Sequence, residues 1–274
     1  MTALFSLAGR TAVVTGASGA IGSAIALGFA RAGANLALVY NSNGDAAEKI
    51  VKEAVALGVK ARADQVNILD ETAVKNHANL VASEFGQIDI LVNSAGGNIK
   101  AAITDHETGF FDLALKDIKN TVDLNFINGV VSPCLAYGGL MAKNDAGSSI
   151  INISSMNAYR PLEGRPAYAA AKAAVNNFTQ WLACHVAKEY TPAMRVNAIA
   201  PGFFPNERMR EGLFLENGAL NERGQKIISH TPMGRLGDVA DLIGPAIWYA
   251  SDASSFVTGT VTPVDGGFNA YAGL

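Results

Sequence analysis

Apolar positions along this chain fall into two kinds of pattern. Short β-branched and aliphatic runs lie at 11–15, 35–40, 59–66, 88–93, 149–154, 195–200 and 260–264. Near-continuous apolar runs of this length are expected of parallel strands covered by helices on both sides. Between them, apolar residues return every three or four positions. This predicts helices at 21–32, 46–57, 71–85, a long one ending near Met141, and others at 167–190 and 239–251. Strand and helix alternate throughout, so the predicted class is α/β, with a doubly wound, seven-stranded, mostly parallel sheet and helices on both faces. No repeat or low-complexity tract interrupts the alternation, and residues 1–274 are expected to form one domain. Two stretches, 97–109 and 201–236, exceed ordinary connections. Loops that long in a compact domain are usually functional, and both would leave the carboxyl edge of the sheet.

Candidate chemistry gathers at the same edge. Tyr168 and Lys172 stand four apart in an alanine-rich stretch, which puts phenol and ammonium on one helical face. A lone tyrosine is a poor acid at neutral pH, whereas a cation held close stabilises its phenolate. Ser155 ends the apolar run 150–155, where open α/β sheets bind ligands, and its hydroxyl can polarise a carbonyl. Together Ser155, Tyr168 and Lys172 point to hydride chemistry on an alcohol or ketone. Near the start, the strand 11–15 runs into Gly16-Ala17-Ser18-Gly19-Ala20-Ile21-Gly22 and then a helix. A strand, a glycine-rich turn and a helix N-terminus are the parts that hold a dinucleotide pyrophosphate through free backbone N–H groups, the Rossmann arrangement.

These motifs, with Asn93-Ser94-Ala95-Gly96, Asn125 and Pro201-Gly202, occur in an order that resembles the classical short-chain dehydrogenase/reductase family over essentially the whole chain. The resemblance implies that Tyr168 is the proton donor and that Lys172 holds the nicotinamide ribose. It implies that Asn125 keeps a water in the proton relay. For the cofactor it implies contacts from Gly16, Ser18, Ala20, Ile21, Gly22, Tyr40, Asn41, Ser42, Asn67, Ile68, Asn93, Ala95, Gly96, Pro201, Gly202 and Phe203, besides Tyr168 and Lys172. The family's glycine pattern has a glycine where this chain carries Ala20, and Asn206 stands where threonine is common. NAD-selective sites usually carry an acid at the end of the second strand. Here Tyr40, Asn41, Ser42 and Asn43 precede the first acid, Asp45, so NADP(H) is the expected cofactor, with NAD(H) as the alternative.

Within the family, the segments 152–162, 176–182, 200–204 and 230–235 resemble the D-mannonate oxidoreductases (fructuronate reductases). Such a substrate is a polyol with a carboxylate, so the expected contacts are Arg160 and Arg208 with Asn98, Asn157, His106 and His230. The alternatives are an NADP-dependent mannitol- or sorbitol-type dehydrogenase, a general carbonyl reductase, and a nucleotide-binding protein without catalysis. The resemblance also implies a homotetramer, with the tail from Phe268 at a subunit interface.

Composition narrows the partners. A net charge of −3 without a basic run argues against nucleic acid. Cys134 and Cys184 read as reduced packing residues, and no metal-ligand spacing occurs. No apolar stretch is long enough to span a membrane and residues 1–10 do not read as a signal peptide, so a cytoplasmic enzyme acting on a small carbohydrate-like molecule is expected.

Overall fold

The computed structural model describes residues 3–210 and 212–273. The seven strands, β1 (Thr11–Thr15), β2 (Asn35–Tyr40), β3 (Ala61–Gln65), β4 (Ile90–Asn93), β5 (Ser148–Ile153), β6 (Met194–Pro201) and β7 (Val261–Val264), form one sheet in the order β3-β2-β1-β4-β5-β6-β7. Every pairing is parallel. The order reverses between β1 and β4, and a doubly wound sheet offers its ligand crevice at the carboxyl side of such a switch.

The five central strands supply both faces. Ala12, Val14, Leu36, Leu38, Ile90, Val92, Ile151 and Ile199 bury one side against α1 (Ala20–Arg31) and α9 (Ile243–Ala250). Val13, Ala37, Val39, Leu91, Ile150 and Val196 bury the other against α3 (Glu71–Phe85), α5 (Ser132–Met141) and α6 (Pro166–Glu189). At about 1.5–3 kcal/mol per large aliphatic side chain, this two-sided burial holds the sheet edge rigid where the site is built.

Departures from the predicted elements have local causes. The third strand is shorter than 59–66, because the chain turns at Gly58 and only Ala61–Gln65 pair with β2. The fourth begins at Ile90; before it, Asp89 accepts the Thr11 N–H at 2.7 Å and closes the end of β1. Residues 239–251 divide into a 3-10 turn, Val239–Leu242, and α9, whose first turn carries Pro245. The loop 201–236 folds two short helices, α7 (Glu207–Arg210) and α8 (Glu222–Ser229). The long helix ending at Met141 is interrupted: α4 (Leu115–Val122) passes into a π-helical segment, Asp123–Val131, before α5. At Gly129 a Cβ would stand 2.4 Å from the Leu124 carbonyl oxygen and 3.0 Å from that of Ala95, so the wide turn closes only around a residue without a side chain.

Thr15, Asn93 and Asn152 lie in one register row across β1, β4 and β5. Asn93 Nδ2 donates to Asn152 Oδ1 at 2.8 Å, and Asn152 Nδ2 donates to Thr179 Oγ1 at 2.9 Å, joining β4, β5 and α6 inside the core. Replacing the fully buried Asn152 by alanine strips both neighbours of a partner. A loss of about 1–3 kcal/mol in urea unfolding is expected, and a loss below about 0.5 kcal/mol would show that the row does not brace the sheet.

Candidate active site

Burial dominates the electrostatics where β5 leaves the sheet. Lys172 lies one turn after Tyr168 on α6, is 5% exposed, and donates from Nζ to the Ile153 carbonyl at 2.8 Å. That is its one recorded acceptor among the described residues, so two of the ammonium's three donors remain for another group. Nζ stands 5.7 Å from the centre of the Tyr168 ring. Burial pushes Lys172 down to about 8. Burial also raises the Tyr168 phenol above its usual range, against an opposing pull from the Ser155 hydroxyl and the Arg165 cation. Lys172 was expected to lower the phenol; its ammonium donates to the strand carbonyl, and in the protein alone burial outweighs the pull on the phenol from Ser155 and Arg165.

Ser155 caps the 3-10 turn Met156–Ala158, its Oγ accepting the Asn157 N–H at 3.1 Å and leaving its own proton free to donate. Ser154 turns the other way and donates to Asn176 Oδ1. Asn125 is fully buried in the π-helical segment. Its Oδ1 accepts the Gly97 N–H at 2.9 Å, while Nδ2 donates to the carbonyls of Gly97 at 2.7 Å and Thr121 at 2.9 Å. The side chain thus fixes the chain at Gly97. Gly96 brings this group to the lysine: a methyl there would stand 2.7 Å from Asn125 Oδ1 and 3.7 Å from Lys172 Nζ.

The glycine-rich turn fits a dinucleotide. Gly16 has φ +64, and a Cβ there would lie 2.8 Å from the Ala95 Cα, so the β1 and β4 turns touch backbone to backbone. Thr15 Oγ1 secures that contact by accepting the N–H groups of Ser94 at 3.1 Å and Ala95 at 3.3 Å. Helix α1 starts after Gly19 with no side-chain cap, so the first-turn amides, Ala20 to Gly22, keep their donors for an anion. Ala20 sits in the first helical turn with its methyl exposed, and the replaced glycine leaves the helix start intact.

At the end of β2, Tyr40 packs over Gly44, Asn41 and Ser42 are exposed, and Asn43 caps α2 (Gly44–Ala56) through the Ala46 N–H at 3.1 Å. Asn67 Oδ1 accepts the Leu69 N–H at 3.1 Å, and Ile68 is buried beside it. The Asn93 amide donates into the core row.

A cleft of about 800 Å³ opens beside α6. His106, Phe203 and His230 line it, as do three basic residues the sequence reading passed over: Arg165, Arg223 and Lys226. The expected substrate residues are placed elsewhere. Asn98 is exposed and outside the lining; Asn157 is buried, with Oδ1 accepting the Leu162 N–H at 2.7 Å. Arg160 is exposed and donates from Nε to the Asn269 carbonyl at 3.0 Å. The Arg208 side chain lies outside the described residues. A signal for the basic wall was present: Arg223, Lys226 and His230 recur at i, i+3 and i+7, and Arg165 directly precedes α6. The tail folds back over the cleft, Phe268 meeting Phe203 at 5.4 Å between ring centres.

A family model described as Enoyl-(Acyl carrier protein) reductase matches residues 16–269. The uncharacterized oxidoreductase UxuB of Bacillus subtilis is 42% identical, over 98% of each chain. A crystal structure from Haemophilus influenzae, of a candidate D-mannonate oxidoreductase with bound NAD, superposes with a TM-score of 0.89 at 40% identity, covering 98% of each chain. The NADP-dependent mannitol dehydrogenase of Hypocrea jecorina is 35% identical over 97% of this chain and 94% of its own.

Lys172 makes a prediction for the protein without cofactor. Its ordinary value is 10.5 and its folded value about 8, so between those pH values the unfolded chain binds more protons and stability rises with pH. Tyr168, raised above its usual range, acts oppositely, lowering stability as pH climbs past 10. Below pH 8 the buried ammonium costs about 3 kcal/mol. Urea unfolding of Lys172→Met and wild type should therefore differ more in the variant's favour at pH 7 than at pH 9.5. An equal difference at both would show that the buried amine keeps its ordinary basicity.

Proposed function

This chain belongs to the short-chain dehydrogenase/reductase family, and on that footing we propose that it interconverts a keto-uronate and an aldonate of the D-fructuronate/D-mannonate type. It is an NAD(P)-dependent oxidoreductase acting on CH–OH groups. The convergence of Ser155, Tyr168 and Lys172 at the end of β5, beside a cleft with a basic wall, carries the substrate reading. The likeness to the Haemophilus influenzae candidate D-mannonate oxidoreductase supports it. The likeness to a mannitol dehydrogenase supports a second reading, a polyol dehydrogenase, for which the basic wall has no use.

When bound, the dinucleotide supplies or accepts the hydride. In the reducing direction Tyr168 gives its phenolic proton to the carbonyl oxygen, and Ser155 donates a hydrogen bond to the same oxygen, stabilising the charge that develops there. Lys172, with two donors unused among the described residues, would hold the nicotinamide ribose hydroxyls and stabilise the tyrosinate left behind. Asn125 acts by position: its amide locks Gly97 and the π-helical segment against the lysine. Gly16, Ser18, Ala20, Ile21 and Gly22 would hold the pyrophosphate, Asn67, Ile68, Ala95 and Gly96 would flank the adenosine, and Pro201, Gly202 and Phe203 would border the nicotinamide. Tyr40, Asn41 and Ser42 set the cofactor preference toward NADP(H), since no carboxylate there repels a 2′-phosphate, while NAD(H) remains usable. Residues 1–274 work as one domain.

A homotetramer is part of the same reading. Phe178, Trp181 and His185 of α6, with Phe126 of the π-helical segment at one end and Tyr190 just past α6 at the other, form an aromatic row with neighbouring ring centres 4.8–6.1 Å apart. Trp181 is 56% and Tyr190 66% exposed, a patch that suits a second copy of the chain. Trp181→Glu should reduce the mass measured by light scattering, and an unchanged mass would remove this face from the assembly.

Turnover tests the main reading. Purified protein should oxidise NADPH faster than NADH with D-fructuronate, and both only slowly with D-fructose or L-sorbose. Comparable rates on the neutral ketoses would make it a polyol dehydrogenase. Tyr168→Phe should lower kcat by about 10²–10⁴ with cofactor Kd nearly unchanged; turnover that survives would remove Tyr168 as the acid.

A further inference from the structure

Helix α8 turns one face into the cleft. Arg223, Lys226, Ile227 and His230 stand at i, i+3, i+4 and i+7, and all four line it. Arg165 reaches the same cleft from the residue before α6, one turn ahead of Tyr168. The two arginines are close enough to act on one another: the Arg223 charge and burial both lower Arg165. Among the described residues, Arg165, Arg223 and Lys226 form no ion pair. The one hydrogen bond recorded for the Arg165 guanidinium there is a long one, 3.4 Å, to the Glu163 carbonyl.

Two carboxylates share the cleft, Asp105 and Glu163. Asp105 Oδ1 already accepts the N–H groups of Glu107 and Thr108, each at 2.9 Å. Glu163 is exposed and forms no ion pair with the arginines among the described residues. Like charges gathered on a concave wall repel one another in the free protein and concentrate an anion that enters. These acceptors in the same cleft suit the hydroxyls of a sugar chain and disfavour a doubly charged group.

We propose that Arg223 and Lys226, together with Arg165, bind the substrate's carboxylate, fixing the acid end of a keto-sugar acid on α8 while its carbonyl lies at Tyr168 and Ser155. This deepens the sugar-acid reading above and rests on it. It also moves the carboxylate site away from Arg160, whose guanidinium is tied to the tail at Asn269. Specificity for acids over neutral sugars would then reside in α8 and in Arg165.

The test compares D-fructuronate with its methyl ester, which lacks the charge and adds one methyl group. Wild type should prefer the acid. In Arg223→Gln and in Lys226→Gln the ratio of kcat/KM for acid to ester should fall by about tenfold or more, mainly through KM for the acid. Both positions are exposed on a short surface helix, so neither variant should disturb folding. A ratio within about twofold of wild type in both variants would overturn the proposal, as would a wild type without preference for the acid. Faster reduction of D-fructose 6-phosphate than of D-fructuronate would overturn the carboxylate in favour of a phosphoryl group.

If D-fructuronate is not reduced at all, the sugar-acid reading of the reaction fails, and calorimetry decides the anion site separately. D-Mannonate and D-mannitol are titrated into the Tyr168→Phe variant loaded with NADP⁺. Tighter binding of D-mannonate, lost when Arg223→Gln is added, supports the site; equal binding of the two overturns it.

Discussion

Lys172 donates to the Ile153 carbonyl where β5 leaves the sheet, and this contact holds a positive charge out of water at the end of a strand. One acceptor does not satisfy an ammonium, and among the described residues no carboxylate pairs with it. The surroundings are correspondingly rigid. The sheet is buried on both faces, the row Asn93–Asn152–Thr179 braces β4, β5 and α6, and Asn125 ties the π-helical segment to Gly97. A looser frame would let the lysine swing to solvent. In the protein alone this frame raises the tyrosine, so the phenol keeps its proton, and lowers the lysine to about 8, so its charge is held at a cost until a ligand supplies what Lys172 lacks.

The division of labour follows from the fold. The carboxyl edge near the β1/β4 switch presents free helix amides and close-packed glycines, suited to a cofactor that is the same for many enzymes. The cleft with the basic wall is lined instead from the loop 201–236, through α8, and from Arg165 before α6. Rigid chemistry and an adjustable wall are thereby on different parts of the chain.

Much of this was legible in the sequence. Apolar runs buried on both faces mark strands whatever the neighbours, and the β2 run was placed to the residue. Ser155, Tyr168 and Lys172 could be grouped because a strand end and one helical turn determine where their side chains start. The π-helical segment was not legible, since its cause is the approach of Gly129 to the Ala95 carbonyl, a contact between distant parts of the chain. The basic wall was legible only as a spacing of Arg223, Lys226 and His230, not as a place. Arg160 is near Ser155 in sequence but turns to the tail, whereas Arg223 arrives from a loop whose path periodicity does not encode. The sign of the pKa effects was likewise hidden, because it depends on burial depth and on which acceptor the ammonium reaches.

The central claim is that Tyr168 becomes a usable acid only once Lys172 has a second partner. A pH titration of tyrosinate absorbance, taken as wild type minus Tyr168→Phe, with and without NADP⁺, tests it directly. The account predicts a Tyr168 midpoint above 10 in the protein alone and a clear fall when the dinucleotide is bound. Equal midpoints, or a low midpoint already in the protein alone, would contradict it.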